Sequence, residues 1–249
     1  MESYKFNAIL RIASVALFFS IWQIFSLFIN IELLPSPAEV FSKILEEAKT
    51  NELFFHTFIT LKRVFISFVI AMFIGTFFGI YMGRNKKLNI FLDDWLVLGL
   101  NVPALVIIIL CYVWFGLNEV AAILAVSLNK IPMVAVIMRE GARSIEKDYV
   151  EVAKFYKINK KKFFFKVIFP QLYPYLLSSA RSGLSLIWKI VLVVELLGRS
   201  NGVGFKLYGF FQFFDISGIL AYTLAFVFLI IIIEFIIVRP FEKKISVWR

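Results

Sequence analysis

Phe58 to Met82 reads FITLKRVFISFVIAMFIGTFFGIYM, 25 residues of predominantly apolar character. A helix needs about 20 such residues to cross the hydrocarbon of a bilayer, so the stretch predicts a transmembrane helix. Within it and just beyond, Ser67, Ala71, Gly75, Gly79 and Gly83 recur every four residues. That spacing strips one face of bulk and lets another helix's backbone approach closely. Two uses are open: tight static packing, or a pore-lining helix that slides.

The rest of the chain supports a membrane protein. Of 249 residues, 61% are hydrophobic and 18% charged, and the mean hydropathy is +0.85. Globular domains are roughly 45–50% apolar and about 25% charged, and a soluble core of this length could not hide so much apolar surface. An ordinary soluble enzyme is excluded. The net charge of +10 does not point to nucleic acid, because the basic residues sit between apolar blocks rather than along one polar face. With one Cys (Cys111, inside an apolar run) and one His (His56), no disulfide framework or Cys/His metal site is expected.

Outward from 58–82, five further spans follow: about 7–31, 95–115, 120–138, 175–197 and 218–238, giving an all-α polytopic protein in a single membrane domain. Lys5 and Arg11 precede the first apolar stretch as in a secretory signal. The stretch is too long for one, however, and no small-x-small site follows, so an uncleaved span is expected. Ser36-Pro37-x-Glu39 is a capping box with Pro at the first helical position. Phe41, Ile44, Leu45 and Ala48 then line one face of a short amphipathic helix suited to the membrane interface. The third span contains Asn101-Val102-Pro103, which predicts a kink. Gly116 to Glu119 is a tight turn, and the fourth span carries Lys130 and Pro132. Residues 198–217 read as a Gly- and Phe-rich loop.

Lys and Arg concentrate at 84–87, 139–174 and 239–249, which by the positive-inside rule places those segments and both termini in the cytoplasm, and 32–57 and 198–217 outside. No P-loop, His-Glu-x-x-His or nucleophile elbow is present, so the chain is not expected to be an enzyme; energy for uphill transport would come from a partner or an ion gradient. Ionisable residues inside spans are functional candidates. Arg181, Ser185 and Lys189 fall at i, i+4, i+8 on one helical face beside Trp188, with Glu195 near the outer end and Glu234 in the sixth span. They could line an aqueous path favouring an anionic solute. Equally, they could pair within the bundle, Lys189 with Glu195 or Glu234. Asn101 and Pro103 are a further candidate, either a gate or a structural kink.

The most informative segment lies in the 139–174 loop. Glu151, Val152, Ala153, Phe155, Tyr156, Lys157 and, further on, Val167-x-Phe169-Pro170 resemble the EAA motif of ABC importer permeases: Glu-Ala-Ala, three residues, Gly, nine residues, Ile, one residue, Leu-Pro. Glu151, Ala153 and Pro170 match, Val167 stands for Ile, and Val152, Lys157 and Phe169 depart, with the spacing kept. Leu34-Pro35-Ser36-Pro37, Trp114-Phe115-Gly116 and Glu195-Leu196-Leu197-Gly198 are similar to the nitrate/sulfonate/taurine branch. The resemblance implies a six-helix, type I importer-like permease in a bacterial inner membrane. It implies pairing with a second copy, and a coupling helix docked on cytoplasmic ATP-binding subunits. It also implies solute delivery by a periplasmic or lipid-anchored binding protein, and no cofactor on this chain, since ATP would sit on the partner subunit. Small Ala153 would allow close docking, and Lys157, disfavoured where Gly adopts positive φ, predicts that the motif helix continues. The other readings are an amphipathic segment resting on lipid with Lys160 to Lys162 near anionic headgroups, an ion-driven secondary transporter, and a non-transporting scaffold or receptor.

Overall fold

The small-residue ladder packs against one neighbour. In the computed structural model, which describes residues 2–29 and 34–238, helices α1 (Glu2–Ile29), α2 (Pro37–Lys49), α3 (Glu52–Arg84), α4 (Lys86–Asn101), α5 (Ala104–Phe115) and α6 (Glu119–Arg143) precede the motif segment. The ladder of α3 lies along α6: a Cβ on Gly75 would fall 2.6 Å from the Val134 Cβ, one on Gly79 2.5 Å from the Ala135 carbonyl oxygen, and one on Gly83 2.6 Å from the Ala142 Cβ. Close backbone approach is therefore what the glycines provide. The matched numbering shows α3 and α6 running parallel.

After α6 come α7 (Lys147–Phe155), α8 (Lys160–Phe163), a π-turn (Phe164–Ile168), α9 (Phe169–Gly198), α10 (Val203–Gln212) and α11 (Ile216–Ile233) with a closing π-turn (Glu234–Val238). The segments from Lys160 to Gly198 form one continuous rod. Its π-turn ends two residues before Pro170, whose ring would crowd the carbonyl four residues back, that of Lys166 within the π-turn, in an ideal helix. The rod runs antiparallel to α6, with Gly141 against Tyr175 and Lys130 against Gly183. Its far end meets the beginnings of α3 and α6. Among the described residues the chain is helical, without strands.

Several expectations need correction. The third span is not one kinked helix: α4 and α5 break at Val102–Pro103 with a 97° bend. Val102 is extended (φ −68°, ψ 124°), as a residue before proline prefers. By length and composition Glu52–Arg84, Glu119–Arg143 and Ile216–Ile236 suffice to cross a bilayer, with the bent pair as a fourth if taken as one span. Residues 198–217 are not all loop, because α10 occupies their middle. The basic tail 239–249 lies outside the described residues. The Ser36 capping box forms as read, with the Ser36 N–H donating to Glu39 Oε2 at 2.7 Å. However, α2 is not merely interfacial: Val40 is buried, and Glu47 accepts from the Tyr222 hydroxyl on α11 at 2.9 Å and pairs with Lys206 on α10 at 3.2 Å.

Candidate functional site

The motif helix α7 is short because its end is sealed. Ile158 N–H donates to the Ala153 carbonyl (3.1 Å) and Lys157 N–H to that of Lys154 (3.0 Å), the paired bonds of a Schellman stop. Lys157 occupies the left-handed position, φ 49°, where the family pattern has Gly. The expected continuation past Lys157 therefore does not occur; closing the orphan carbonyls outweighs the roughly 1–2 kcal/mol steric penalty of a left-handed L-residue. At its start, α7 is tied to the rod by the Glu146 N–H donating to Gln171 Oε1 at 2.9 Å, next to Pro170.

Ala153 is buried, its small side chain taken up by packing within this chain. The open face carries Tyr149, Val152, Phe155 and Tyr156, of which Phe155 and Tyr156 are 81% and 72% exposed, with Glu151 and Lys154 exposed beside them.

The second candidate set divides. Arg181, Ser185 and Lys189 are all exposed along α9. An open groove of about 300 Å³ between α9, α10 and α11 is lined by Ser185, Trp188, Lys189, Thr223 and Glu234 among mainly apolar side chains. Trp188 is buried, edge-on to Phe226 with ring centres 5.9 Å apart. Arg181 pairs with Glu234 at 3.5 Å. Asn101 is exposed, and its amide donates to the Val97 carbonyl of its own helix at 2.7 Å, while Pro103 stands at the 97° break; neither joins the groove.

Glu195 is not paired with Lys189. It lies fully buried at the opposite end of the bundle from α7, in a network that the sequence reading missed. Arg63 on α3, 2% exposed, donates through Nη1 to Glu195 Oε1 and the Asn201 carbonyl (both 2.8 Å), through Nε and Nη2 to the two oxygens of Glu119 (both 2.8 Å), and through Nη2 to Asn201 Oδ1. All five guanidinium N–H donors are used. Glu195 also accepts from Thr60 Oγ1 and the Gly204 N–H at 2.9 Å. Its carboxylate thus satisfies an orphan donor at the start of α10, where negative charge is favoured. Thr60 Oγ1 accepts from the Val203 N–H (2.8 Å) and His56 Nδ1 from the Gly202 N–H (2.9 Å). With Nδ1 an acceptor, His56 carries its proton on Nε2 and donates to Glu52 at 3.1 Å. The signal was available: Arg63 is an ionisable residue inside the Phe58–Met82 stretch. Lys130, also within a span, is buried too, its ammonium donating to the Ser182 carbonyl at 3.3 Å.

Comparison with known proteins agrees with this architecture. Residues 72–247 match the family model described as binding-protein-dependent transport system inner membrane component. A protein named as an aliphatic sulfonates transport permease from Bacillus subtilis (strain 168) is 29% identical over 94% of this chain and 85% of its own length. A bicarbonate transport system permease protein from Synechococcus elongatus is 30% identical over 82% of this chain and 77% of its own. The taurine transport system permease protein of Escherichia coli (strain K12) is 25% identical over 96% and 90%. In fold, the chain is similar to a chain of the methionine ABC transporter captured in inward-facing conformations (TM-score 0.67, 16% identity, 81% of this chain and 98% of that one). With apolar helices, a matching family model and these relatives, the chain belongs to the binding-protein-dependent transport system inner membrane components, multi-pass transport permeases of the ABC importer class.

Proposed function

We propose that this chain is the membrane-spanning subunit of an ATP-driven importer that works as a pair of copies. It couples through α7 to cytoplasmic ATP-binding subunits that bind and hydrolyse the ATP, and passes a small anion or organic solute of the nitrate/sulfonate/taurine class received from a binding protein outside. The observation that carries the reading is the open face of α7: Tyr149, Val152, Phe155 and Tyr156 stand exposed on a helix fixed at both ends. An apolar, aromatic patch on a rigid element is the form a docking surface takes.

Six spans with both termini cytoplasmic fit the parallel run of α3 and α6 and the antiparallel rod, since the segment between α3 and α6 then crosses once and the segment between α6 and the rod stays on one side. In this arrangement α7 and the lysines around it face the cytoplasm, and the Arg63 network faces outward. The exposed face Arg181–Ser185–Lys189, beside the groove, is the surface that a second copy and the solute path would share, and its cations favour an anion. The relatives named for sulfonates, bicarbonate and taurine support that solute class.

Coupling is tested by co-purification in mild detergent. The wild type should recover an ATPase, and Glu151→Arg with Val152→Asp should not while keeping its thermal midpoint. Equal recovery by both would refute the assignment. For the path, Lys189→Ala should reduce uptake of an anionic solute without changing ATPase recovery. Unchanged uptake would assign Lys189 to packing.

A further inference from the structure

Apart from Lys147, which stands between Glu146 and Asp148 in sequence, the basic residues of segment 139–174 fall into two groups. Arg139 is bound to Asp93 and Glu140, and Arg143 to Glu140, so these two charges serve the fold. Lys154, Lys157, Lys160, Lys161, Lys162 and Lys166 are all exposed, and no Asp or Glu occurs between 154 and 166. Among the described residues none of the six forms an ion pair. Four of them lie on the rod that continues directly into α9. Exposed Phe164, Phe165 and Phe169 occur among and just after these lysines, and aromatic side chains concentrate where helices enter a bilayer.

We propose that this lysine stretch is a binding surface for anionic phospholipid headgroups of the leaflet that α9 enters. Lys166 lies nine residues before Tyr175, about 13 Å along the rod from the apolar stretch. The headgroup layer fills roughly 5–8 Å of that distance, and a lysine stem spans most of the remainder. Lys160 to Lys162 sit about one Debye length further out, within electrostatic reach. Each juxtamembrane lysine near an anionic surface adds to the attraction. The α7 face and the lysine stretch thus divide two tasks, docking a protein and holding lipid. The cytoplasmic placement is taken from the proposed function, but the lipid test needs no ATPase, so the two readings fail separately.

The test is native mass spectrometry of the purified full chain from nanodiscs of phosphatidylcholine mixed with phosphatidylglycerol. The wild type should retain phosphatidylglycerol with roughly tenfold preference, and the preference should fall as salt rises. Lys160→Gln, Lys161→Gln, Lys162→Gln and Lys166→Gln together should abolish it, the same four changed to Arg should keep it, and Lys86→Gln with Lys87→Gln should leave it intact. No preference in the wild type, a salt-insensitive one, or a preference that survives the four Gln changes would overturn the proposal. So would a Gln variant that keeps phosphatidylglycerol but loses a co-purifying ATPase, since the lysines would then serve the protein partner. Should the fourfold Gln variant fail to fold, the pairs Lys160→Gln with Lys161→Gln and Lys162→Gln with Lys166→Gln should each lower the preference, and an unchanged preference in both pairs would overturn the proposal.

Discussion

The two ends of the helix bundle treat polar groups in opposite ways. At the Arg63 end, every donor of a buried guanidinium is matched by two carboxylates and Asn201, and Thr60 and the Gly204 N–H donate in turn to Glu195. At the α7 end, aromatic side chains such as Phe155 and Tyr156, with ring centres 5.5 Å apart, stand exposed beside six exposed lysines that form no ion pair among the described residues. The same contrast appears in the backbone. Both ends contain a residue at positive φ, but Gly202 (φ 110°) is walled in, a Cβ there falling 2.3 Å from the Glu195 carboxyl carbon, whereas Lys157 (φ 49°) is exposed. One end holds its buried guanidinium and carboxylate in internal hydrogen bonds, with the Arg199 Nε beside them left without a partner, and acts as a fixed junction of α3, α6, α9 and α10. The other is held rigid but left incomplete, as an end built to meet a partner would be.

That contrast can be broken by mutation. Arg63→Ala should have the largest effect, about 3–5 kcal/mol of destabilisation, because Glu195 would remain buried and uncompensated; a thermal shift in detergent smaller than that of a surface control would show that the junction is not structural. Gly202→Ala comes next, at about 2–4 kcal/mol from forbidden backbone geometry and overpacking together, read by the same assay. Lys157→Gly sharpens the comparison in the opposite direction. Relief of the left-handed penalty, about 1–2 kcal/mol, exceeds the roughly 0.4–1 kcal/mol lost to a more flexible unfolded chain. A small stabilisation is expected, with α7 still ending at Phe155.

Much of the architecture was legible from periodicity. The four-residue ladder of α3, the Ser36 capping box and the alternation of apolar and basic blocks each depend on local chemistry that sequence displays directly. The bend at Pro103 was foreseen as a kink, but not its size, which depends on what α4 and α5 pack against. Lys157 misled because its steric preference was weighed without the two hydrogen bonds that reward the stop. Arg63 escaped because its partners lie 56 residues away at Glu119 and 132 residues away at Glu195, and no local pattern records such a meeting. Lys189 illustrates the converse: its helical face was readable, while its separation from Glu195 needed the three-dimensional arrangement.

The central claim is that the α7 end is left open for an ATP-binding partner while the Arg63 end is not. The most direct measurement is parallel co-purification and thermal melting of Val152→Asp and Arg63→Ala in the full chain. The account predicts that Val152→Asp, an exposed change expected to move stability by less than about 0.5 kcal/mol, loses the ATPase with its melting midpoint unchanged, while Arg63→Ala lowers the midpoint. Full ATPase recovery by a folded Val152→Asp protein would contradict it.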